Sequence, residues 1–289
     1  MVKGILFVVC LFTVLIPSAQ IKHPKASPFT TLSQDVGLAN IKVAYSRPAV
    51  RGRKIFGDLV PYGRIWRVGA NESTKITFSN DVIINGSTLQ KGTYALYAFP
   101  EADSWEVVFH KNTAHWGDGR KDYNPAEDAL RVQVAPVTSA DFQENFFIGF
   151  DSIGHNSAQM VWHWAHTQVR VPIQVDTQGI MEEEIGRQLK ENPSAQTYYE
   201  AARYYQEEGV KLKTALSYLD KAIEIGGDTY YFHRVKSMVE AALGDYGAAV
   251  ISAQKSLKLA RQEGKDEFVR MNEKNIRLWK AIPPVKIEE

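Results

Sequence analysis

The feature that most constrains this chain is a change of hydrophobic period near residue 176. A period of two suits a strand with one buried face, and a period of 3.6 suits a helix, so one segment cannot satisfy both. From about Asn40 to Val175 the texture is that of strands. Ile41, Val43 and Tyr45 alternate with polar residues, as do Ile76 and Phe78, Trp105, Val107 and Phe109, Leu130, Val132 and Val134, and Phe146, Ile148 and Phe150. Val82–Ile84 and Leu89 flank Asn85-Gly86, a strong short-range signal for a tight hairpin. Thr93–Phe99 is apolar almost throughout, and Met160, Trp162 and Trp164 share one face of a last strand ending near Val171. About eight short strands separated by turn-rich loops predict an antiparallel β-sandwich or barrel-like domain. His163 is expected on the solvent side of that last strand.

From Gly179 onward alanine, leucine, glutamate and lysine dominate. Ile180, Ile185 and Leu189 predict a connecting helix that stops before Asn192-Pro193. Ala215, Leu219 and Ala222 are matched 34 residues later by Ala249, Ala253 and Ser256. Thirty-four residues is the tetratricopeptide period. Gly244-Asp245-Tyr246 before Ala248-Ala249 resembles the turn between the paired helices of such a repeat, and a final helix over roughly Asp266–Ile282 would cap the stack. The expected fold class is therefore multidomain, all-β followed by all-α. The boundaries are a β domain over 33–175, a connecting helix or linker over 179–192, and a tetratricopeptide-like helical domain over 196–282.

The N-terminus carries an address. Lys3 precedes an apolar run, Ile5–Ile16, which Pro17-Ser18-Ala19-Gln20 closes with small residues. That order is a secretory signal peptide over 1–19, cleaved after Ala19 or Gln20. The run falls short of the roughly 20 residues a membrane span needs, so no span is expected after cleavage. The expected location is periplasmic or extracellular. Cys10, the one cysteine, lies within the apolar run, so the mature chain would have no thiol chemistry, thiolate zinc site or iron–sulfur cluster. The formal net charge of +1 gives no electrostatic case for nucleic acid.

One segment concentrates chemistry. Ser46–Thr74 reads SRPAVRGRKIFGDLVPYGRIWRVGANEST and holds Arg47, Arg51, Arg53, Arg64 and Arg67 beside Tyr62, Trp66, Asn71 and Glu72. Arginine forks pair with carboxylates or phosphates and stack on rings, so these residues would hold an anionic or sugar-like ligand. They would equally brace loop carbonyls, with Trp66 filling the core. A second polar region, His110–Asp128, contains His115, Trp116, Asp118, Asp122 and Glu127, and Trp116 in a glycine-flanked loop would stack on a sugar ring or fold back as a lid. His115 and Trp116 join Arg47, Arg51, Arg53, Tyr62, Trp66, Arg67, Asn71 and Glu72 as candidate ligand-binding residues. No HExxH or other metal-ligand spacing occurs, nor a GxGxxG, Walker or GxSxG pattern. No catalytic set, metal site or cofactor is assigned.

The arginine-rich segment, together with Gly92-Thr93-Tyr94-Ala95-Leu96, Trp105, Trp116-Gly117 and the Trp164 strand, resembles a bacterial family known as domain of unknown function 2911. The resemblance covers roughly Ser33–Val175. It implies export by a Gram-negative bacterium and, in some members, a helical-repeat tail; it implies no reaction, substrate or cofactor. Three functions follow as expectations. The first is a non-enzymatic envelope protein that binds a ligand through the β domain and a protein or peptide partner through the repeat. The others are a hydrolase of envelope or carbohydrate material and a structural scaffold.

Overall fold

The structure, a computed structural model, describes residues 23–117 and 120–282. The expected signal peptide lies outside them. The chain divides after Asp176 into two compact units.

The first unit holds ten strands among the described residues: β1 (Phe29–Val36), β2 (Ala39–Ser46), β3 (Thr74–Phe78), β4 (Val82–Ile84), β5 (Ser87–Leu89), β6 (Gly92–Pro100), β7 (Trp105–His110), β8 (Asp128–Val134), β9 (Pro136–Asp151) and β10 (Ser157–Val175). They form two antiparallel sheets, ordered β1-β2-β3-β6-β7-β8 and β5-β4-β10-β9. Alternating side chains of both sheets share one core, including Ile41, Val43, Ile76, Leu96 and Val107 from the first and Ile84, Ile148, Trp162 and Ile173 from the second. The result is an open sandwich; the described strands close no barrel. Asn85 and Gly86 both take positive φ, 48° and 84°, which is the two-residue turn that the twist of β4 and β5 demands.

Two features depart from simple alternation. The first is β1, which starts ahead of the expected boundary at residue 33; it is an edge strand with mostly exposed or half-buried side chains, so its pattern is weak. The second is β10, which is 19 residues long and switches phase. Met160, Trp162 and Trp164 point inward at even positions, whereas Val169, Val171, Ile173 and Val175 do so at odd ones. Register shifts on either side of Ala165, which has φ 52°, supply the switch. His163 beside this bulge is half-buried, with Nε2 enclosed, rather than on an open solvent face.

The core is organised around one residue of the arginine-rich segment. Trp66 pairs with Ala98 of β6 through two backbone hydrogen bonds of 2.8 and 2.9 Å, beyond the end of β3. Its indole is buried against Phe56, Trp105, Phe146 and Trp162 at centroid distances of 5.7, 6.0, 5.1 and 6.5 Å. It stacks on Trp164 at 6.0 Å and 16°. Edge-to-face pairs of this kind add to the burial of each ring.

The second unit holds α1 (Thr177–Glu191), α2 (Ala195–Glu207), α3 (Leu212–Gly226), α4 (Tyr230–Ala242), α5 (Tyr246–Gln262) and α6 (Asp266–Lys280), each packed on the next. Ser194, Thr229 and Asp245 cap α2, α4 and α5 through their side chains. α1 occupies the stretch read as a connecting helix or linker over 179–192, and its Ile185 is buried with Met181 and Leu189 against Ala201, Ala202 and Tyr205. α5 starts 34 residues after α3, and Ala215, Leu219, Ala222, Ala249, Ala253 and Ser256 are all fully buried.

Trp66→Ala should lower the stability of the β unit by about 3–5 kcal/mol. Trp116→Ala, at a side chain 74% exposed, should change it by less than about 0.5 kcal/mol. Urea unfolding followed by near-ultraviolet dichroism compares the two.

Candidate functional site

The arginine-rich segment is held in an unusual backbone. Arg51, Val68 and Asn71 lie in the left-handed region, with φ of 49°, 50° and 63°. Val68 is fully buried and β-branched, so its conformation is a strained one that the surrounding packing imposes. Gly69 follows at φ 144°; a Cβ there would lie 2.9 Å from the Ser46 carbonyl oxygen, so only glycine fits between the segment and β2. The segment thus wraps closely around the sandwich end, tethered on both sides of Trp66.

That wrapping forms a cavity of about 290 Å³ lined by Arg51, Arg53, Arg67 and Arg120 over Trp66 and Trp164, with no carboxylate among the described residues of its walls. Arg53 donates through Nε to the Val50 carbonyl (3.0 Å) and through Nη2 to that of Ala49 (2.6 Å). Arg51 donates through Nη2 to the Ala26 carbonyl (3.3 Å). These main-chain contacts fix the guanidinium planes without neutralising them. Among the described residues no ion pair engages the side chain of either arginine. Four guanidinium groups around an aromatic floor give the cavity a positive lining, and guanidinium is a group that pairs with carboxylate or phosphate.

A neighbouring pocket of about 360 Å³ holds Asn71, Glu72, Lys75 and Trp116 beside Phe29 and Tyr45. Ala26 borders both cavities. Asn71 Nδ2 donates to the Ser27 carbonyl (3.3 Å) and to Ser46 Oγ (3.1 Å), so the chain before β1 is pinned between the pockets. Burial holds the Lys75 ammonium below the usual lysine range, with Glu72 opposing the shift, and the ammonium donates to the Ser73 carbonyl and hydroxyl at 2.8 and 2.6 Å.

A third cluster lies on the other face of the six-stranded sheet. The apolar run of β6 is explained by burial on both faces: Tyr94, Leu96 and Ala98 join the main core, while Ala95 and Tyr97 pack with Val108 and Tyr123. The residue paired with Ala95 is His110, fully buried at the end of β7. A register shift after Phe109 sets Asp128 opposite it, with His110 Nδ1 and Asp128 Oδ1 hydrogen-bonded at 2.7 Å. Asp128 Oδ2 accepts from Tyr123 Oη (2.8 Å) and Arg131 Nε (2.6 Å), and Arg131 also binds Glu106 at 2.6 Å. Burial, then the hydrogen bond to and charge of Asp128, raise the Tyr123 phenol well above the tyrosine range. His115 and Glu127 complete the group, each placing a ligand atom within 4.8 Å of the others. Glu127 ends a short 3-10 turn, Pro125–Glu127, capped by Asn124, and its carbonyl accepts from the Lys111 amide at 2.9 Å, closing the neck of the loop.

The sequence-predicted residues therefore do not form one site. Arg51, Arg53, Trp66 and Arg67 share the first cavity; Asn71, Glu72 and Trp116 share the second; His115 belongs to the histidine cluster. Arg47 lies in neither pocket. Its Nε donates to the Phe146 carbonyl (2.9 Å) and its guanidinium covers the Phe147 ring, bracing the end of β2 against β9. Tyr62 also stands apart, exposed and packed over Gly57, where a Cβ would meet its ring at 2.8 Å. Trp116 does not fold back as a buried lid. Arg120 was not singled out by the sequence: it is charged, in a loop, and far along the chain from the segment it joins. Asp118 falls outside the described residues.

The profile described as protein of unknown function (DUF2911) matches residues 27–173, and the chain belongs to that family. The match spans the β unit from just before β1 to the last residues of β10. No curated protein and no solved structure is significantly similar to the chain.

Asp128→Ala leaves a buried imidazole, a phenol and a guanidinium without their shared acceptor, and should cost about 3 kcal/mol of stability; Tyr123→Phe, which removes one donor, should cost about 1 kcal/mol. Chemical denaturation of both variants measures the difference.

Proposed function

We propose that this DUF2911 protein is an exported, non-enzymatic binding protein of the bacterial cell envelope. Its β unit takes a small organic anion, a sugar acid or sugar phosphate, in the Arg51–Arg53–Arg67–Arg120 cavity. Its helical unit is a tetratricopeptide-like repeat that engages a protein or peptide partner.

The observation that carries the reading is the composition of that cavity: among the described residues, four arginines and no acid around an aromatic floor. Its volume lies at the lower end of ligand pockets, which suits a single ring rather than a polymer. The charged group would meet the guanidinium forks and the ring would lie toward Trp66 and Trp164. Export is supported by the N-terminal basic, apolar and small-residue order. No described helix is long and apolar enough to cross a membrane. The repeat reading is supported by the 34-residue offset of α3 and α5 and by the small buried residues that let neighbouring helices approach.

Calorimetric titration with uronic acids and sugar phosphates, against the matching neutral sugars, tests the reading. The acids should bind and the neutral sugars should not. Arg51→Ala/Arg53→Ala should weaken binding at least about tenfold, and affinity should fall with rising salt. Equal binding of neutral sugars, or a double variant that binds like the parent chain, would overturn it. Protein recovered from the cell envelope should begin at Gln20 or Ile21 by N-terminal sequencing.

A further inference from the structure

We propose that His110, His115 and Glu127 form a divalent-metal site of the zinc type, which fastens the 111–127 loop to the outer face of β6 and β7. The inference does not depend on what the arginine cavity binds.

It starts from the proton on His110. Asp128 receives hydrogen bonds from Tyr123 and Arg131 on one oxygen and faces His110 Nδ1 with the other. An ionised carboxylate so placed only accepts, so Nδ1 carries the hydrogen and Nε2 presents a lone pair. That Nε2 is buried and has no hydrogen-bond partner among the described residues. It faces Glu127 Oε2 at 3.4 Å. A buried lone pair that faces a carboxylate oxygen favours a cation between them: a proton, or a metal ion.

Three observations favour the metal. Ligands about 2.0–2.2 Å from a tetrahedral zinc stand about 3.3–3.6 Å apart, and the His110–Glu127 separation of 3.4 Å falls in that range. A shared proton needs no third group, yet His115 also converges, its imidazole 5.4 Å from that of His110 between ring centroids and its ligand atom within 4.8 Å of the others. A shift of about an ångström completes the triangle, and the His115 Nδ1 contact to Tyr97 Oη is a long one at 3.4 Å. Finally, the Asp128–His110 pair is the outer-shell carboxylate that orients metal-binding imidazoles, and here it is locked by a tyrosine and an arginine. Two imidazoles and a carboxylate suit zinc and leave one coordination position, on the side where the Glu127 side chain is 41% exposed.

The test uses the untagged full chain, stripped with a chelator and titrated with zinc chloride alone. One equivalent should bind, and cobalt(II) in its place should give the visible absorption of a four-coordinate ion. Glu127→Gln and His115→Gln alter loop ligands and leave the fully buried His110 in place; each should weaken zinc binding at least tenfold, with the unfolding midpoint of the metal-free chain little changed. Asp128→Asn should weaken it by about 10–100-fold through loss of the outer-shell acceptor. A stripped chain that takes up neither ion, or zinc binding that survives both loop variants, would overturn the proposal.

Discussion

The β unit depends on the burial of Trp66 between its two sheets. This one indole contacts aromatic rings from β7, β9 and β10, and its backbone extends β6 beyond the reach of β3. Once it is seated, the residues on either side have little freedom. Val68 is driven into a left-handed conformation, Gly69 must pass against the backbone of β2, and the Arg51–Arg53 turn closes over the sandwich end. Arg51 and Arg53 are held by main-chain carbonyls, and among the described residues no ion pair engages either side chain.

A single loop reaches all three polar clusters. Between β7 and β8 it carries His115 to the histidine group, Trp116 to the Asn71–Glu72 pocket and Arg120 to the arginine cavity. Its neck is closed by the Lys111–Glu127 backbone bond and its base by the His110–Asp128 pair. A metal ion held at His115 would order the same loop that places Trp116 and Arg120. Positioning of this kind is how a rigid sheet can support recognition through loops.

The architecture was largely legible in the sequence because burial is one-sided along most strands. Ile41, Val43 and Tyr45 declare β2, and Asn85-Gly86 declares its hairpin, with no help from tertiary context. The edge strand β1 was not legible, since it contributes little to the core. Nor was the phase switch of β10, which rests on bulges around Ala165 that no residue type announces. The grouping of site residues was the least legible. Arg47, Arg51 and Arg67 look equivalent along the chain, yet Arg47 braces a carbonyl of β9 while the other two line a cavity. The histidine cluster was hidden for another reason: its members sit at spacings of no known motif and meet only because a bulge sets Asp128 against His110 and a turn returns Glu127 to the loop neck.

The central claim is that the arginine cavity recognises an anion rather than bracing the fold. Nuclear magnetic resonance of the arginine Nε–H groups during titration with inorganic phosphate tests it directly. Saturable shifts confined to Arg51, Arg53, Arg67 and Arg120, with the exposed Arg64 outside the cavity unmoved, are the predicted result. Shifts spread evenly over the exposed arginines, or none at the four cavity residues, would contradict it.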